Sequence, residues 1–86
     1  MTDINKLERH LAYHCARSDI EMLCTANRMQ DGGLEFNINT PQTDEWEAES
    51  LANAVRYLEH RNLLKRRIDN PDYVTILDET EQHEQQ

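Results

Sequence analysis

The stretch Leu58-Glu59-His60-Arg61-Asn62-Leu63-Leu64-Lys65-Arg66-Arg67-Ile68-Asp69-Asn70-Pro71-Asp72-Tyr73-Val74-Thr75-Ile76-Leu77 decides the fold. At its centre, Asn70-Pro71-Asp72 is strong turn chemistry: proline presets φ, and the Asn and Asp side chains bond to their own backbone. The runs on either side, Leu63–Asp69 and Tyr73–Leu77, are short, apolar and β-branched enough to be strands. A β-hairpin follows. Just before it, Asn62 suits the closing position of a helix, since Asn enters the left-handed region more readily than most residues.

Working outward from the hairpin, Thr43 is a good N-cap, and Asp44, Glu45 and Glu47 place negative charge where the helix dipole favours it. The spacing predicts a helix from there to about Arg61, with Trp46, Leu51, Ala54, Val55 and Leu58 on its inner stripe. Leu34-Glu35-Phe36-Asn37-Ile38-Asn39 alternates apolar and polar residues as a half-buried strand does, and Thr40-Pro41 ends it. This strand is expected to join the hairpin in a small three-stranded antiparallel sheet, because an isolated hairpin is marginal in water.

Near the N-terminus, Ile4, Leu7, Leu11 and Cys15 recur at helical spacing, with Thr2 or Asp3 able to cap the start. Ser18-Asp19-Ile20-Glu21 fits a capping box, which predicts a break near Arg17 and a second helix from Asp19. Ile20, Leu23, Cys24 and Met29 would face inward, and Asp31-Gly32-Gly33 would end that helix. One long helix through Ser18 is the alternative. The expected fold class is thus α+β, in the order helix-helix-strand-helix-hairpin. It is read as a single domain over residues 1–77, and residues 78–86 form an acidic tail with no apolar side chain, expected to be disordered.

The segment Ala52-Asn53-Ala54-Val55-Arg56-Tyr57-Leu58-Glu59-His60-Arg61-Asn62-Leu63-Leu64-Lys65-Arg66-Arg67, with Asn70-Pro71-Asp72-Tyr73-Val74-Thr75-Ile76 after it, resembles the third helix and wing of winged-helix proteins. In that family a pattern close to V-x-Y-L-E-x-R-G-L-L-x-R leads into a basic hairpin, and the usual Gly matches Asn62. The resemblance covers about a quarter of the chain. It implies a winged-helix-like regulator in which the third helix enters the major groove of double-stranded DNA and the wing touches the backbone. The residues carried over to that role are Arg56, His60, Arg61, Lys65, Arg66 and Arg67. A homodimer held through residues 3–29 would supply affinity that one acidic copy lacks.

Charge supports two readings. The chain is acidic, with a net charge of −8. Residues 1–55 hold four basic and ten acidic groups, residues 56–77 five and three, and residues 78–86 none and four. The local excess of positive charge in the helix and hairpin suits phosphate contacts. Lys and Arg on an exposed strand also prevent edge-to-edge aggregation, and nearby acids can neutralise them. The second reading rests on Asp44, Glu45, Glu47 and Glu49 around Trp46: a compact acidic surface with an aromatic anchor, fitted to a protein partner with a basic surface. Such a chain would be an acidic interaction module or inhibitor, of the compact kind that phages and other mobile elements encode, binding a host protein. The plainer account of the same acids is a favourable helix N-terminus.

Other classes find little support. No run approaches the roughly 18 apolar residues that span a bilayer, and the N-terminus lacks the apolar stretch of a signal peptide, so a cytoplasmic, membrane-free protein is expected. Cys15 and Cys24 are too few for a disulfide framework and are expected to be reduced and buried. His10 and His14 lie four residues apart, but Cys15 points away from His14 and no second ligand pair has zinc spacing, so no metal is assigned. There is no phosphate-cradling glycine loop or nucleophile elbow. No enzyme activity and no cofactor are expected.

Overall fold

The computed structural model describes residues 4–79. Helix α1 (Ile4–Leu23) is followed by strands β1 (Thr25–Arg28) and β2 (Leu34–Asn37), helix α2 (Glu45–His60), and strands β3 (Leu64–Arg66) and β4 (Tyr73–Ile76). The strands make one antiparallel sheet in the order β1-β2-β4-β3. Both helices pack over one face of it. The core between the layers joins Tyr13, Ala16 and Ile20 of α1, Leu51, Ala54 and Leu58 of α2, Phe36 of β2 and Val74 of β4, with Cys24 and Leu63 beside them.

The α+β class and the C-terminal hairpin agree with the sequence reading, and so does the joining of residues 34–37 to that hairpin, through Phe36↔Val74 and Asn37↔Tyr73. The end of α2 is built as the Asn62 signal requires. Asn62 takes φ 59°, its N–H donates to the Glu59 carbonyl at 3.0 Å, and the Leu63 N–H donates to the Leu58 carbonyl at 2.8 Å. Those paired bonds form a Schellman cap, and Leu58 and Leu63, the two residues it clasps, are both fully buried.

Three expectations are corrected. First, residues 4–23 form one helix, not two. Ser18 and Asp19 stay within it because continuous i→i−4 bonding already satisfies the N–H groups a capping box would serve, and Ser18 Oγ instead reaches Met22 Sδ at 3.6 Å. Second, the expected second helix gives way after Leu23 to β1, so the sheet has four strands and not three. Asp31-Gly32-Gly33 turns a hairpin rather than stopping a helix: Met29 N–H donates to the Gly33 carbonyl at 2.7 Å, Gly33 N–H donates to Asp31 Oδ1 at 2.9 Å, and Gly32 sits at φ 92°. Glycine serves either ending equally well. The strand before α2 stands as expected, but the order is helix, strand, strand, helix, strand, strand, so the expected second helix does not hold.

Third, the inward side of α1 is not the one expected. Ile4, Leu7 and Leu11 are 64%, 53% and 55% exposed, and Cys15 is exposed as well. The helix buries Tyr13, Ala16 and Ile20 instead. Small Ala16 lets α2 approach, and the Tyr13 hydroxyl donates to the Leu77 carbonyl at 2.8 Å, so a ring with a polar tip is accommodated in the core. Tyr57 of α2 donates to the Arg9 carbonyl at 3.2 Å, and Gln42, ahead of α2, donates to the Leu23 carbonyl at 2.8 Å. The two helices thus run in opposite directions.

The N-cap of α2 is Asp44, one residue later than expected; its side chain accepts from Trp46 N–H at 2.7 Å. Asp78 and Glu79 do not behave as a loose tail, since Glu79 is tied to both helices, as described below. Expectations for Thr2, Asp3 and the tail from Thr80 onward lie outside the described residues. Among the described residues no helix is long and apolar enough to cross a membrane.

Candidate interaction surface

The six cationic residues carried over from the winged-helix resemblance do fall on adjoining elements, the C-terminal half of α2 and the β3–β4 hairpin. Strand pairing sets Arg66 in line with buried Val74 and Phe36, on the helix side of the sheet, with Lys65 on the opposite face. Arg67 continues the Lys65 face, held by its N–H bond to the Tyr73 carbonyl at 2.9 Å. The three thus alternate across the strand, as its pleat requires.

Three of the six are engaged by the protein's own carboxylates. Arg66 Nε meets Glu59 Oε2 at 2.8 Å, and its guanidinium also donates to the Pro71 carbonyl at 2.9 Å. Arg67 bridges Asp69 at 2.7 Å and Glu35 at 2.9 Å, with its guanidinium over the Tyr73 ring at 4.9 Å. Arg67's hydrogen bond holds the Asp69 carboxyl below its ordinary range. Glu35 is otherwise buried, so Arg67 supplies the partner a sequestered carboxylate requires.

Arg61 donates to Glu79 Oε2 at 2.9 Å and to the Tyr57 hydroxyl at 3.2 Å, and the other Glu79 oxygen meets His10 Nδ1 at 2.8 Å. This cluster ties α1, α2 and the end of the described chain together. Burial pushes the Glu79 carboxyl up, but the hydrogen bonds from His10 and Arg61 outweigh it and leave the carboxyl below its ordinary value. Arg56, His60 and Lys65 remain exposed, and no ion pair holds them among the described residues.

The acidic candidates converge differently. Asp44, Glu45 and Glu49 are exposed around the first turns of α2, and Glu47 is half-buried. Trp46, expected on the inner stripe, is 78% exposed. The helix turns Leu51, Ala54 and Leu58 into the core, and at 100° per residue Trp46 falls well to the side of that stripe. The result is the protein's single indole, standing in water within a group of four carboxylates.

On the other flank of α2, an open groove of about 730 Å³ runs between the helix and the loop before it, lined by Ile38, Pro41, Gln42, Leu51 and Val55 with Arg56 and Glu59. No histidine or cysteine reaches it. Among the described residues no three His, Cys, Asp or Glu side chains gather as a metal site. His10 and His14 instead meet ring edge to ring face at 4.5 Å. Cys24 is buried, which pushes its thiol up to about 11.

The chain matches no family model, no curated protein and no solved structure.

Of the residues that shape this surface, sequence reasoning reached the cations and the acidic turn but not the counter-ions Glu35 and Glu59, nor Tyr73 as a stacking partner. The alternation around Phe36 placed Glu35 on the sheet's outer face. Only the strand register sets it beside Arg67.

Proposed function

We propose that this protein is a small interaction module that docks on a basic protein surface through the start of α2. Trp46 is the anchor, and Asp44, Glu45, Glu47 and Glu49 frame it. The observation that carries this reading is the exposure of Trp46 at 78%. A large aromatic left in water at a rigid helix start is the side chain that contributes most when an interface covers it. The surrounding carboxylates, on a chain of net charge −8, attract a cationic partner and raise its rate of association. An acidic accessory protein or inhibitor acts in this way.

A second reading, DNA binding by a winged-helix-like α2 and hairpin, is favoured by the exposed Arg56, His60 and Lys65. Against it stand the ion pairs of Arg61, Arg66 and Arg67, since each must be released before its guanidinium can neutralise a phosphate.

A mobility-shift assay with random-sequence duplex at low ionic strength separates the two. The interaction reading expects no retardation at micromolar protein. Retardation lost in Arg66→Glu and Arg67→Glu would overturn it in favour of DNA. In parallel, basic proteins captured by the wild type should be lost with Trp46→Ala and kept with Arg66→Glu.

A further inference from the structure

Helix α1 has two apolar sides. At 100° per residue, Tyr13, Ala16, Ile20 and Leu23 centre on one side, and Ile4, Leu7, Leu11, Cys15 and Met22 centre roughly 160° away from it. The second set follows a 3-4-4 spacing, Ile4-Leu7-Leu11 and then Cys15-Ser18-Met22, an eleven-residue repeat that stays on one face of a nearly straight helix. Nothing among the described residues covers it: Ile4, Leu7, Leu11 and Met22 are all more than half exposed. Residues 80–86 have no apolar side chain with which to cover it.

We propose that this side of α1 pairs with the same side of α1 in a second copy of the chain, parallel and in register. The charged residues beside the stripe choose the direction. Glu8 and Asp19 lie along one flank; His14, Glu21, His10, Arg17 and Lys6 lie along the other. An antiparallel pair sets like flanks together, so Glu8 of each copy would face Asp19 of the other, acid against acid at both ends. A parallel pair sets unlike flanks together, and the usual offset of five residues between facing flanks brings His14 opposite the second copy's Asp19, twice by symmetry. Glu21 is already satisfied by Arg17 on its own helix at 3.3 Å.

The four large apolar residues leave roughly 500 Å² in water on each copy, toward the upper end of the largest patches on typical monomers, which are often functional. With the flanks included, a pair buries on the order of 1,200 Å² in total, the lower end of specific interfaces and the scale of micromolar association. The stripe lies opposite the side of α1 that meets α2, so pairing leaves Trp46 free. This inference concerns a different surface from the docking reading and stands without it.

The test is the mass of the full chain by light scattering after size exclusion, over about 1 to 200 µM. The wild type should rise from one copy to two. Leu11→Glu should hold one copy throughout with unchanged helical circular dichroism, a weakening of at least about 100-fold. Ile4→Lys, at the exposed end of the stripe, gives the same readout should Leu11→Glu lose its helix. Oxidation with diamide should join two copies through Cys15, because a parallel pair brings these residues to about the 6 Å Cα spacing a disulfide spans; Cys15→Ser should abolish the cross-link. A one-copy mass at the highest concentration, or a dimer unaffected by both stripe variants, overturns the proposal. A dimer that forms no Cys15 cross-link overturns its parallel register.

Discussion

Leu11 and Leu58 both lie on apolar stripes of regular helical spacing, and Leu→Ala removes the same three carbons from each. Leu58 is 0% exposed and Leu11 is 55% exposed, so the two truncations should differ sharply. At Leu58 the transfer loss is about 2.4 kcal/mol, at about 0.8 kcal/mol per methylene. A cavity that its neighbours fill only in part brings the cost to about 3–5 kcal/mol. A chain of this length is stabilised by about 4–13 kcal/mol in all. Leu58→Ala should therefore remove a large share of it and lower Tm by at least about 12 °C. At Leu11 less than half of the transfer loss applies, and part is returned because Ala is the better helix former, leaving about 0.5–1 kcal/mol. Urea denaturation followed by far-UV circular dichroism measures both, at about 1 µM so that pairing between copies adds nothing. Equal costs for the two variants would refute the placement of α1, since Leu11 would then belong to the core.

Further outcomes follow from individual contacts. Glu79 has a folded-state carboxyl held below its ordinary value, so its contribution should be complete above the ordinary carboxylate range and fade as pH falls through the lower folded value. Glu79→Gln should cost about 1 kcal/mol near neutrality and progressively less as pH falls through the folded value, and a difference that does not shrink in acid would count against the His10–Glu79–Arg61 cluster. Asn62, at φ 59°, should accept Gly at no loss but lose about 1–2 kcal/mol as Val, read from the same denaturation curves. Native protein should react with a thiol reagent at exposed Cys15 while buried Cys24, its thiol raised to about 11, reacts only after denaturation. Two reactive thiols in the native state would contradict that burial.

The parts of this fold legible in the sequence are those written locally. Asn62, Asn70-Pro71-Asp72 and the alternation around Phe36 each act within a few residues, and the Schellman cap, the hairpin and the β2–β4 pairing all form where they indicate. Asp31-Gly32-Gly33 was ambiguous because a helix stop and a hairpin turn ask the same freedom of glycine. Periodicity could show that α1 has an apolar stripe but not which of two faces the core; packing against α2 chooses Tyr13, Ala16 and Ile20. The ion pairs were hidden for a related reason. Glu35 and Arg67 are 32 residues apart, and only the sheet register joins them. The cations were visible as a cluster, and their neutralisation was not.

Strand β1 forms one edge of the sheet and contributes no side chain to the core. All four of its residues are exposed, and its pairing with β2 is made of backbone bonds with little apolar burial behind them. Peeling it away exposes little of what the core protects, so its amide protons should exchange with solvent by local opening, well ahead of those in β2 and β4 around Phe36 and Val74. The slowest-exchanging amides are then expected in the two helices and in the central strands β2 and β4.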